Sequence, residues 1–131
     1  MITGKYPQLR LRRNRKSLWS RKLIQENTLS PSDFILPIFL IEGSNKKESI
    51  SSMPGVYRYT INRLPQIIDR AIKLGIPMIA LFPKTKNNLK NEIGSESLNE
   101  KNLVCKAIID IKKRYKNQIG IMCDVALDPY T

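Results

Sequence analysis

Two carboxylates four positions apart, Asp124 and Asp128, stand in the stretch Cys123-Asp124-Val125-Ala126-Leu127-Asp128-Pro129-Tyr130-Thr131. If the apolar run from Ile119 to Val125 is a strand and its alternation continues, Asp124, Ala126 and Asp128 share one face and both acids point the same way. Aligned carboxylates at a strand end can hold a hard cation or a substrate ammonium, and the cost of desolvating them is usually explained by function. Asp128-Pro129 also reads as a turn, which suits Asp128 but leaves Asp124 unexplained. A chain of 131 residues that stops on the C-terminal tip of a strand, where α/β proteins keep their chemistry, reads as the first part of an enzyme.

Further polar residues fall on the same rim. Glu42 follows one predicted strand and Thr85 follows the next, and Lys46-Lys47 lie in a loop where they could clamp an anion or simply be solvated. The chain has no histidine, so neither a Cys/His zinc site nor a Ser/His/Asp triad can be assembled from it alone. Cys105 and Cys123 make no metal spacing and no disulfide framework, and are expected to be reduced and structural.

The elements that must position these residues alternate in type. Phe34 to Ile41 is apolar without a period, as in a strand covered on both faces, although Pro37 is an awkward central residue because it cannot donate to a ladder. A polar loop from Glu42 to Met53 and the turn Pro54-Gly55 follow. Leu64, Ile67, Ile68, Ala71, Ile72 and Leu74 form a helical stripe, with Pro65 in the first turn and Gly75 as the stop. Met78 to Phe82 is a second strand closed by Pro83. Leu103, Val104, Ala107, Ile108 and Ile111 mark a second amphipathic helix, leading to the third strand. The order β-α-β-α-β predicts parallel strands with helical crossovers, an α/β fold. With three strands only, the first and third would carry unpaired edges.

In front of this body lies a basic segment. Residues 1–25 hold eight of the 23 Lys and Arg residues and none of the 11 acids, whereas the net charge of the whole chain is +12. Residues 1–27 are read as an N-terminal arm, extended to about Lys16, with a short helix from Leu18 to near Asn27 capped by Ser17; Thr28 to Asp33 is a turn. Residues 28–131 form the first three strands and two helices of the domain. Leu9-Arg10-Leu11-Arg12-Arg13-Asn14-Arg15-Lys16 could bind RNA, but aromatic residues are not interleaved for stacking, so a subunit arm or solvated tail is preferred. The longest apolar run is too short to cross a bilayer, and no signal-peptide core follows the basic start. The chain is expected to be cytoplasmic, with no nucleic-acid or membrane partner.

Five segments in order resemble 5-aminolevulinate dehydratase, or porphobilinogen synthase: Arg12-Arg13-Asn14-Arg15, Ile35-Leu36-Pro37-Ile38-Phe39, Ser52-Met53-Pro54-Gly55-Val56 with Arg58-Tyr59, Ala80-Leu81-Phe82-Pro83, and Asp124 to Thr131. The resemblance implies the N-terminal part of a TIM barrel with an extended basic arm. It implies condensation of two 5-aminolevulinate molecules to porphobilinogen in heme and tetrapyrrole synthesis, a lyase reaction. Asp124 matches a substrate-positioning aspartate. Ala126 and Asp128 stand where the zinc-dependent branch has cysteines, so Asp128 is expected to hold magnesium or the substrate amine, with zinc disfavoured. The two Schiff-base lysines of the family have no counterpart here; they would lie beyond Thr131, and Lys84 and Lys86 do not take that role. Arg10, Arg12, Arg13 and Arg15 match the arm that wraps a neighbouring subunit in the family's octamer. The alternatives are a noncatalytic interaction module or remnant and, behind it, an arginine-rich RNA-binding protein.

Overall fold

The computed structural model describes residues 4–10 and 12–131. Its centre is one five-stranded sheet in the order β2-β3-β1-β4-β5, built from β1 (Ile35–Leu40), β2 (Lys47–Ser49), β3 (Tyr57–Tyr59), β4 (Met78–Pro83) and β5 (Gly120–Cys123). The three expected strands are present and parallel: β1 pairs β4 from Ile35↔Met78 to Leu40↔Pro83, and β4 pairs β5 from Met78↔Gly120 to Leu81↔Cys123.

The polar loop after β1 is a correction. It contains the antiparallel hairpin β2–β3, and β3 adds in parallel to the end of β1 through Phe39↔Arg58 and Leu40↔Tyr59. The first predicted strand is therefore not an edge. Pro37 tolerates its central position because of where its missing donor would point. Ile41 donates its N–H to Tyr59 while Leu40 accepts from Lys84 N–H, so odd residues of β1 face β3 and even residues face β4. Pro37 faces the β3 side, two residues before the pairing with β3 begins.

Two helices cross between the parallel strands. In α2 (Leu64–Lys73), Leu64, Ile68 and Ala71 are buried, Pro65 sits in the first turn where its lack of an N–H costs nothing, and Gly75 leaves the helix at φ +79. In α3 (Leu103–Tyr115), the Asn102 side chain caps the start by accepting from Cys105 N–H at 2.9 Å, and Leu103, Val104, Ala107, Ile111 and Tyr115 are buried. Both stripes fall where periodicity places them, except that Leu74, at the C-cap of α2, is exposed. They pack on Ile38, Leu40, Ile79 and Leu81, with Leu36 and Ile121 at the margin. The Tyr115 hydroxyl ties the helices together by donating to Asp69 Oδ1 at 2.7 Å.

Alternation sends the other residues of the strands to the opposite face. Ile35, Pro37 and Phe39 of β1, Met78, Ala80 and Phe82 of β4, and Gly120 and Met122 of β5 form an apolar face turned away from α2 and α3.

The arm also departs from its reading. It contains a 3-10 turn at Arg13–Arg15, so it is not extended throughout, and α1 spans only Leu18–Leu23, stopping short of Asn27. Leu18, Trp19 and Leu23 are exposed, so packing does not lengthen a helix whose intrinsic stability at this size is low. Ser17 holds the cap position with extended dihedrals, yet its side chain makes no capping bond. Residues 30–33 form the expected turn, closed by Ser30 N–H donating to the Asp33 carboxylate.

Candidate active site at the strand termini

The C-terminal ends of β1, β3 and β4 open on a cleft of about 450 Å³, lined by Phe39, Arg58, Phe82, Lys84, Thr85 and Asp128 among others. Its floor is the tilted pair Phe39 and Phe82, with ring centroids 5.7 Å apart. Asp128 reaches this cleft by a route other than a strand. β5 ends at Cys123, the chain from Asp124 to Leu127 has no regular structure, and Asp128 opens a 3-10 turn with Pro129 and Tyr130. The expectation that Asp124, Ala126 and Asp128 share one strand face is therefore corrected. Pairing with β4 stops at Leu81↔Cys123, and without a partner there is no ladder to continue the alternation.

Asp124 is exposed and is not among the residues lining the cleft. The register nevertheless gives it a level: it follows Cys123, the partner of Leu81, and so comes next to Phe82 along the sheet. Reading across the bare face at that level gives Glu48↔Arg58, Arg58↔Phe39 and Phe39↔Phe82; Asp124 follows the end of β5 without a ladder partner. One transverse row thus carries an ion pair and two aromatic rings. The dense packing of the helical face has no equivalent here.

The charged end of this row was not singled out in the sequence. Glu48 Oε1 accepts from Lys84 Nζ at 2.8 Å and from Arg58 at 3.0 Å. The Lys84 hydrogen bond leads the effects that hold the Glu48 carboxyl below its usual range, and Arg58 adds to it. Arg58 lies inside the motif Met53-Pro54-Gly55 to Tyr59, but recognising its partner requires the β2–β3 register. Lys84 Nζ thus spends one of its donors on the Glu48 carboxylate.

Glu42 and Thr85 share a neighbouring cleft of about 490 Å³ with Lys86, so the rim placement holds. Lys46 and Lys47 do not converge as an anion clamp. Lys47 Nζ sits 3.8 Å from the Tyr57 ring centroid, and the Lys46 backbone is tied to the buried Thr60, whose hydroxyl accepts its N–H at 3.0 Å. Cys105 and Cys123 are both free thiols, but Cys123 is exposed, contrary to a buried structural role. Desolvation, then proximity to Cys105, pushes the Cys123 thiol up. Tyr130 is raised as well, chiefly by burial. Arg10, Arg12, Arg13 and Arg15 are exposed, with the Arg10 guanidinium 5.6 Å from the Tyr6 ring centroid.

Among the described residues, no three His, Cys, Asp or Glu side chains converge as a metal site. No helix there is long and apolar enough to cross a membrane.

The family model described as Delta-aminolevulinic acid dehydratase matches residues 8–131. A relative of that name from Bradyrhizobium diazoefficiens is 52% identical over 123 residues, covering 94% of this chain and 35% of its own. One from Chlamydia pneumoniae is 43% identical over 122 residues, covering 93% of this chain and 36% of its own. The fold matches the crystal structure of delta-aminolevulinic acid dehydratase (porphobilinogen synthase) from Toxoplasma gondii ME49, solved with the reaction product porphobilinogen, at a TM-score of 0.85 and 38% identity; the match covers 95% of this chain and 35% of that one. The chain thus spans about 35% of the length of these relatives.

Proposed function

The chain belongs to the delta-aminolevulinic acid dehydratase family, and on that premise we propose that the protein carrying it condenses two molecules of 5-aminolevulinate into porphobilinogen. The observation that supports this reading most directly is the 0.85 TM-score to a dehydratase solved with porphobilinogen. The sheet is the N-terminal part of a TIM barrel, in which chemistry sits at the C-terminal ends of the strands, and the cleft opens at that end. Within this part, Asp124 positions substrate beside Phe82, and Asp128 presents a hard oxygen donor at the cleft. The two Schiff-base lysines belong to the portion of the relatives that this chain does not span, since none of its own lysines takes their place.

A metal site built by this chain has one oxygen donor in Asp128 and none in Ala126, a set unsuited to zinc, which takes thiolate or imidazole. Magnesium, held by one carboxylate with waters and substrate oxygens, is the metal we propose, with Asp128 bonding the substrate amine as the alternative use of the same carboxylate. When bound, magnesium would neutralise negative charge at the cleft. The exposed arginines Arg10, Arg12, Arg13 and Arg15 dock on a second copy in an octamer, without nucleic acid or membrane. Free thiols at Cys105 and Cys123 suit the reducing cytoplasm.

The test is porphobilinogen formation from 5-aminolevulinate by the protein as its gene encodes it. Product is expected, and its absence in folded protein overturns the reading. Chelation should remove activity and magnesium should restore it; restoration by zinc alone would rule out the magnesium assignment.

A further inference from the structure

Asp128 reaches the cleft although the chain leading to it belongs to no strand or helix. β5 ends at Cys123, Val125 is fully exposed and Leu127 more than half exposed, so the height of the carboxylate is not set from the strand side. It is set by the residues around and after Asp128 and by a segment far earlier in the chain, the polar connection between β4 and α3. There Asn91 folds the connection on itself. Its carbonyl accepts from Gly94 N–H at 3.0 Å, its side-chain Oδ1 accepts from Ser95 N–H at 3.0 Å, and its Nδ2 donates to the Ser95 hydroxyl. The Asn91 N–H, which lies outside that turn, donates to the Tyr130 carbonyl at 3.2 Å, and Lys90 Nζ donates to the Thr131 carbonyl at 3.1 Å. Tyr130 N–H donates to the Leu127 carbonyl at 2.8 Å and closes the 3-10 turn that begins at Asp128. Gly94 is buried in the contact at φ +61, where a Cβ would stand 3.4 Å from Leu127 Cδ2 and 3.5 Å from Thr131 Cγ2. Tyr130 itself closes a crevice of about 10 Å³ with Leu89, Glu96, Asn102 and Leu103, which braces the turn against the capped start of α3.

We propose that the β4–α3 connection is the seat of Asp128, with Asn91 as a positioning residue that acts through that carboxylate. The seat rests on the dehydratase reading for the reaction in which Asp128 takes part, and not for its geometry. A carboxylate on a turn that no ladder pins is easily displaced, and a misplacement of about 1 Å at a reacting group can cost roughly a hundredfold in rate. Glycine is required at position 94 for two reasons. The left-handed backbone strains any L side chain, and a branched side chain would press on Leu127 and Thr131.

The test compares Asn91→Ala, Asn91→Asp and Gly94→Val in the protein as its gene encodes it. Asn91 is exposed, so Asn91→Ala should leave the thermal midpoint nearly unchanged. It should lower porphobilinogen formation roughly tenfold, and Asn91→Asp, which keeps an oxygen for the Ser95 N–H, should restore most of the loss. In an Asp128→Ala background Asn91→Ala should cost about twofold or less, because the group it places is gone. Roughly tenfold losses in both backgrounds would show a role independent of Asp128 and overturn the proposal. Hydrogen exchange of the peptide 124–131, read by mass spectrometry, reports on the seat without turnover and decides alone if Asp128→Ala is inactive. Asn91→Ala and Gly94→Val should speed exchange there roughly fivefold or more, and Asn91→Asp should not. Turnover by the parent with unchanged exchange in the variants sinks the seat and leaves the dehydratase reading standing. Faster exchange in variants of a parent that makes no porphobilinogen does the reverse.

Discussion

The two faces of the sheet are made from the same strands and often from adjacent residues, yet they obey different rules. On the helical face Ile38, Leu40, Ile79 and Leu81 are at most 2% exposed, whereas on the other face Ile35 is 45% and Met122 44% exposed. The first face is finished: α2 and α3 cover it, with Ile61, Ile76 and Ile119 filling in around them. The second is apolar and, Ala80 apart, less covered; it carries the Phe39–Phe82 pair and the charged group at the rim. In a TIM barrel that inner face is filled by side chains from strands across the axis. Burial is therefore concentrated on one side of the sheet, and the proposed chemistry on the side that needs further strands.

The sharpest attempt to break this contrast is to ask the 131-residue chain alone for activity. No porphobilinogen should form, a complete loss, because the bare face has no opposite wall and the proposed Schiff-base lysines lie outside the part of the relatives that this chain spans. The same chain should associate or remain molten through its exposed apolar face and the free edge of β5. A soluble monomer with dispersed amide signals and a cooperative melt would show the bare face to be harmless.

The next largest difference is between truncations on the two faces. Leu81→Ala should cost about 2–5 kcal/mol, while Phe82→Ala, one residue on, should cost about 1 kcal/mol, measured by urea unfolding of the protein as encoded. Equal costs would mean that the inner face is as well packed as the helical one. Asp124→Ala should leave stability unchanged within about 0.5 kcal/mol and lower turnover roughly a hundredfold. Unchanged kinetics would remove Asp124 from the site.

The smallest effect lies wholly on the finished side. Tyr115→Phe loses the hydrogen bond to Asp69 and should cost about 1 kcal/mol. Burial, reinforced by Asp69, pushes the Tyr115 hydroxyl from 10.0 up to about 12. Its folded value lies above its unfolded one, so its contribution is complete below pH 10.0 and is lost as pH rises toward about 12. Alkaline denaturation of the parent should steepen across that window, and Tyr115→Phe should flatten it.

What could be read from the sequence follows the same division. The stripes of α2 and α3 were legible because burial against one partner layer imposes a period that neighbouring residues must keep, and the runs in β1 and β4 because they are continuously apolar, although only one of their faces is covered by helices. The hairpin was not, since Lys47-Glu48-Ser49 and Tyr57-Arg58-Tyr59 are three residues each and owe their pairing to the Glu48–Arg58 contact and the Thr60 bonds. The end of β5 was misplaced because alternation within one segment carries no information on where the neighbouring ladder stops. At the cleft, Asp128 could be proposed from its carboxylate and its family position, and it does line that cleft. Arg58, Lys84 and Glu48, separated by up to 36 residues, were brought together only by sheet register.

Pro37 also acts as a positional stop. If β3 slid two residues down β1, the amide now available at Phe39 would be replaced by a proline nitrogen with nothing to give, and the ladder would lose a bond where it has few. The hairpin is thereby kept at the upper end of β1, and the height of the Arg58 guanidinium above the sheet floor is fixed by a hydrogen atom that is not there.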